Sequence, residues 1–87
     1  MTAVTIDVPS YDPHRGVQIV WDRDYVIQTR MVDGVFLLEA NRAGLVSLAR
    51  HLLTLAQTDM PAKNHIHYDG DYGPLEDGSI GFILQRK

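Results

Sequence analysis

The sequence predicts an α+β domain: one α-helix packed on one face of an antiparallel sheet of about five or six strands, in the order β-β-β-β-α-β-β. Three observations predict it. Asn41–Gln57 (NRAGLVSLARHLLTLAQ) repeats apolar residues at spacings of three and four, the period of a helix. Six shorter stretches alternate apolar with polar residues or run apolar, as strands do. Asp33–Gly34 separates two of those stretches by a two-residue loop suited to a type I′ hairpin turn.

Val4–Val8 (VTIDV) reads as a short first strand ended by Pro9–Ser10, and Tyr11–Gly16 as turn material. Val17–Trp21 is a second strand with Val17, Ile19 and Trp21 on one face. Tyr25–Val32 follows, with Tyr25, Ile27, Thr29 and Met31 on one side and Gln28 and Arg30 on the other. Val35–Ala40 is apolar on both faces up to Glu39, the pattern of a central, well-covered strand.

In the helix, Asn41 is a good N-cap. Leu45, Leu48, Ala49, Leu52 and Ala56 form the stripe expected to meet the sheet, widened by Val46 and Leu53. Ser47, Arg50, Thr54 and Gln57 fall opposite, and His51 lies at the boundary. Gly44, costing ~1 kcal/mol of helix propensity relative to Ala, implies a close backbone approach. Pro61 ends helical character. About sixteen residues at ~1.5 Å each give a rod of roughly 24 Å, enough to cross one sheet. Asn64–Asp69 then places Ile66 and Tyr68 on one side and His65, His67 and Asp69 on the other. Gly70–Gly78 is a turn-rich loop, and Ser79–Gln85 closes the chain with Ile80, Phe82 and Leu84 inward.

Eighty-seven residues suit a single domain, 1–87. The absence of cysteine excludes disulfides and cysteine metal sites. MTAVTIDVPS has no basic start followed by an apolar run, so no signal peptide is expected. No apolar run approaches the ~18–20 residues of a membrane span. A cytoplasmic location without membrane attachment follows as the expectation. The net charge of −3 is concentrated in Asp69, Asp71, Glu76 and Asp77, with no Lys or Arg among them. Nucleic-acid binders carry the opposite, a basic stripe, so no nucleic-acid partner is expected.

One helix covers one face of a sheet, so the other face meets water, a partner or a second copy. That face carries His65, His67, Gln28 and Arg30. His65-x-His67 sets two imidazoles about 6–7 Å apart, but a metal set needs a third or fourth ligand. We therefore expect no metal and no cofactor, and keep a metal or small-ligand site on this strand only as a remote alternative. Asp69–Gly73 resembles the opening of a calcium loop, yet Pro74 and Ile80 stand where that loop needs Gly and Glu. Ser10, Ser47 and Ser79 lie outside any nucleophile elbow, and no Gly-rich phosphate loop occurs. No catalytic residue is assigned, and the chain is expected not to be an enzyme. Trp21, Tyr25 and Tyr68 are core by strand parity. Tyr72, amid the acidic loop, is the candidate exposed aromatic contact.

Asn41-x-x-Gly44-Leu45-x-x-Leu48-Ala49-x-x-Leu52-Leu53-x-Leu55-Ala56, then His65-Ile66-His67-Tyr68-Asp69, then Leu75-x-x-Gly78-Ser79 before an apolar strand, resembles the immunity proteins of bacterial polymorphic toxin systems, family thirty-two. The resemblance runs from about Asn41 to Leu84. Tyr68 departs from the aliphatic residue expected there, and Met1–Ala40 matches nothing. It implies a cytoplasmic non-enzyme that binds and neutralises a cognate toxin domain. The partner-binding residues expected are Tyr72, Asp69, Asp71, Glu76, Asp77, His65 and His67, the carboxylates steering toward a basic active site. The alternative is a homodimeric structural module joined through its bare sheet face or a strand edge.

Overall fold

Antiparallel strands form two hairpins with the helix between them in sequence, and an isolated antiparallel bridge joins Asp12 to Gly16. The computed structural model describes Met1–Lys87. Its elements are β1 (Ile27–Val32), β2 (Val35–Ala40), α1 (Arg42–Leu55), β3 (His65–Tyr68) and β4 (Phe82–Gln85). β1 pairs with β2 and β3 with β4, forming two separate two-stranded sheets rather than one sheet of five or six strands.

The Asp33–Gly34 turn is as the sequence predicts. Both residues have positive φ, 50° and 78°, and Val32 faces Val35 across the turn. Along β1, Ile27 and Thr29 are buried while Gln28 and Arg30 are exposed. Arg30 Nη1 reaches Glu39 Oε1 at 3.1 Å on that outer side. β2 is less covered than its composition suggests, since Val35 and Phe36 are exposed and Leu37 and Leu38 only half-buried.

The expected strands Val4–Val8 and Val17–Trp21 are not strands. The edge of β1 that they would have extended is occupied by the segment before β4. Glu76 N–H donates to Ile27 O (2.9 Å) and Ile80 N–H to Thr29 O (3.3 Å). Ser79 Oγ accepts from Thr29 N–H, and Thr29 Oγ1 donates to Ile80 O. That stitching joins the two hairpins side by side, and the last strand begins at Phe82 instead of Ser79. Ile80, expected inward, is 41% exposed.

The N-terminal 26 residues instead run as an irregular strap across α1. Without a β-ladder, the strap's amides and carbonyls need other partners, and helix side chains supply them. Arg50 Nε donates to Asp7 O and Gln57 Nε2 to Pro9 O. Gln57 Oε1 accepts from Tyr11 N–H and Ser47 Oγ from Asp22 N–H. Arg50 Nη1 also pairs with Asp22 Oδ2 at 3.1 Å.

The strap turns the helix about its axis from the expected orientation, leaving Leu48 buried as expected and Val46 and Ala49 half-buried. The buried residues of α1 are Gly44, Ser47, Leu48, His51, Thr54 and Leu55. Leu45, Leu52, Leu53 and Ala56, expected to be core, are exposed. Hydropathy favours the face richer in Leu, but the strap offers hydrogen-bonding groups, and the polar face satisfies them. No buried side-chain nitrogen or oxygen lacks a partner.

Both ends of α1 are tied to β-structure. Asn41 Oδ1 accepts from Gly44 N–H (2.8 Å) and Val26 N–H (3.0 Å), and its Nδ2 donates to Asp24 O (2.9 Å). At the other end Arg86 Nη1 donates to Leu55 O and Gln57 O. The core is one cluster of Ile27, Leu48, Leu55, Met60, Ile66, Tyr68 and Leu75, flanked by Tyr11, Val17, Trp21, Tyr25, Leu38, Phe82 and Leu84.

Candidate partner-binding surface

Strand parity sets the outer face of the β3–β4 hairpin. Ile66 and Tyr68 point inward and are buried, so His65 and His67 point outward and are exposed. Their ring centroids lie 4.9 Å apart, edge to face. Across the pair, His65 faces Gln85 and His67 faces Ile83, which is 54% exposed. His65 Nδ1 lies 2.9 Å from Lys63 O. A carbonyl only accepts, so Nδ1 carries the hydrogen there, and in the neutral ring Nε2 is the free acceptor. No group of three or more His, Cys, Asp or Glu side chains is arranged to hold a metal ion.

The chain leaves β3 at Asp69 into the acidic turn. Leu75 anchors this turn by entering the core at 4% exposure, and its N–H donates to Asp69 O (3.2 Å). With Leu75 inward and Glu76 N–H bound to Ile27 O, the side chains around them point to water. Asp69, Asp71, Glu76 and Asp77 are all exposed. None takes part in an ion pair; the three in the chain join Arg15 to Asp12, Arg30 to Glu39 and Arg50 to Asp22. Tyr72 has a φ of 59° and stands fully in solvent. Asp71, Tyr72 and Asp77 line one open concavity of ≈ 430 Å³. The structure thus brings together an exposed phenol and two unpaired carboxylates, with the imidazole pair on the strand that leads into them.

His51, read from sequence as a boundary residue, is fully buried. Its Nε2 lies 2.8 Å from Val20 O and its Nδ1 2.7 Å from Tyr68 Oη. The carbonyl fixes the hydrogen on Nε2, so Tyr68 donates to Nδ1. Trp21 meets the His51 ring edge-on at 4.5 Å and stacks on Tyr25 at 4.3 Å. Tyr68 stacks on Phe82 at 4.5 Å. Burial lowers the His51 pKa from its ordinary value and raises that of Tyr68. This pair is enclosed and faces no cavity, so its work is structural. Its sequence signal is the polar row Ser47, His51 and Thr54, spaced four and three apart on one helical stripe.

No helix is long and apolar enough to cross a membrane. Neither the curated proteins nor the solved structures include a match to this chain. The model of the family described as immunity protein 32 matches residues 35–87. That span starts with β2, includes α1, β3, β4 and the acidic turn, and leaves out the strap and β1. More than half of the chain is covered, and the chain belongs to the immunity protein 32 family.

Proposed function

We propose that this chain is a non-catalytic immunity protein that acts in the cytoplasm by binding and covering a cognate toxin domain, with the acidic turn and the imidazole face as its binding surface. The observation that carries the reading is the turn itself. Its four carboxylates have no cation within their own chain, and a fully exposed Tyr72 stands among them. Tyrosine is a frequent anchor of interfaces. Unpaired like charges around it raise encounter rates with a basic partner surface, such as the active site of a nuclease. His65 and His67 would border that contact and supply donors or acceptors.

The test begins with the genes beside this one and uses the toxin domain that the proposal expects there. Association and dissociation rates by surface plasmon resonance, and protection of growth, are measured for the wild type, Asp71→Lys/Glu76→Lys and Tyr72→Ala. The double lysine variant is expected to slow association at least tenfold at low salt, with the difference shrinking as salt rises. Tyr72→Ala is expected to speed dissociation. Unchanged capture and protection by both variants would sink the assignment of this surface.

A further inference from the structure

α1 turns a second apolar face to solvent. Leu45, Leu52 and Leu53 are 55%, 53% and 48% exposed, with Ala56 exposed and Ala49 half-buried beside them. Leu45, Ala49, Leu52 and Ala56 succeed one another at spacings of four, three and four, the seam repeat of paired helices. The one charged residue in that span, Arg50, is turned away toward Asp7 and Asp22. Beyond Leu52 and Ala56 lies an open groove of ≈ 300 Å³ lined also by Leu55 and Leu84 and by the polar Gln85, Arg86 and Lys87. A contiguous apolar strip of this kind marks a contact site.

We infer that this strip is the interface of a homodimer, in which α1 of one copy lies antiparallel to α1 of a second about a two-fold axis at Ala49. Three features select a second copy. A two-fold at Ala49 sets Leu45 of one copy against Leu52 and Leu53 of the other. At the axis two alanines meet, which permits helix axes near the lower end of the usual ~8–10 Å separation. The same operation carries Arg42 toward the turn that follows the second helix, where Asp59 is exposed. Neither Arg42 nor Asp59 has an ion-pair partner in its own chain. Arg42 also stands in the first turn of its own helix, which holds no acidic residue, at the end where a cation is disfavoured.

One helix face and a groove edge bury less than the ~800 Å² per partner of a standard interface. The dimer is therefore weak and concentration-dependent. It uses none of His65, His67, Tyr72 or the acidic carboxylates, so it stands or falls independently of the toxin-binding reading.

Sedimentation of the full chain from about 5 μM to about 1 mM tests it, a range set by interfaces of small area. Wild type is expected to move from monomer to dimer across that range. Leu52→Lys and Ala49→Arg, each checked for retained helix by circular dichroism, are expected to stay monomeric. Arg42→Asp and Asp59→Arg are each expected to weaken the dimer several-fold, and together to restore it. A wild type that stays monomeric at the highest concentration overturns the inference. So does a dimer that survives both stripe substitutions, which would place the contact elsewhere. Failure of the paired charge reversal to restore association overturns the antiparallel alignment about Ala49.

Discussion

His51 ties the helix, the strap and the inner strand together through one imidazole, and its chemistry sets how the fold responds to acid. Burial holds its folded pKa below 6.5, whereas the unfolded chain takes up the proton near ~6.5. Between those values the unfolded state binds more protons, so stability rises with pH in that window. The contribution is fully present above about pH 6.5 and falls away as pH drops toward the folded pKa, by up to ~1.4 kcal/mol per pH unit. A urea midpoint that declines from about pH 6.5 to about pH 5 in wild type, and less steeply in His51→Gln, is the expected result. Tyr68→Phe removes the donor to His51 Nδ1 and is expected to cost about 1–3 kcal/mol by the same assay. Gly44 gives an opposite sign from ordinary helix propensity. Alanine would gain ~1 kcal/mol in a free helix, but its Cβ here would lie 2.7 Å from Val26 O and 2.9 Å from Ile27 Cγ1. Gly44→Ala is therefore expected to lower the urea midpoint. Gly44 was legible in the sequence because a glycine in the first turn of a helix already signals a close neighbour. His51 was not, because its carbonyl partner Val20 lies 31 positions away.

Elements whose cause is local could be read directly, and those whose cause is distant could not. The β1–β2 turn is specified by two adjacent residues. Gly34 sits at φ 78°, so Gly34→Ala is expected to cost about 1–2 kcal/mol in equilibrium unfolding. The start of α1 is likewise written in Asn41. Because Asn41 caps the helix and also holds Val26 N–H and Asp24 O, Asn41→Ala is expected to cost about 2 kcal/mol, the upper end for a cap. The rotation of α1 about its axis has no such local origin. Its Leu45–Leu52 and Leu48–Leu55 stripes are both apolar, and the choice between them rests on a strap whose backbone needs hydrogen bonds. Val4–Val8 and Val17–Trp21 have strand periodicity, but Glu76–Ile80 lies along the edge of β1, and side chains of α1 take up strap main-chain groups instead.

For the molecule as a whole, the sequence anticipated which surface stays open but not how the layers are made. His65 and His67 face outward and the acidic turn is exposed, as strand parity and loop composition indicate. The single broad sheet is replaced by two hairpins joined through Thr29, because an irregular segment takes the edge that a strand would need. The strap is fixed by Ser47, Arg50, His51 and Gln57, each of which reaches its main chain at Asp7, Pro9, Tyr11, Val20 or Asp22. Main-chain amides and carbonyls are common to nearly every residue type, so these hydrogen bonds read little of what the strap spells beyond Asp22 and the core-packed Tyr11, Val17 and Trp21. In a saturation scan for retained folding, positions 7–20 other than the core-packed Tyr11 and Val17 should therefore accept many more replacements than the four gripping residues do. A chain assembled this way can revise the outward side chains of its first quarter while the scaffold underneath goes on holding them in place.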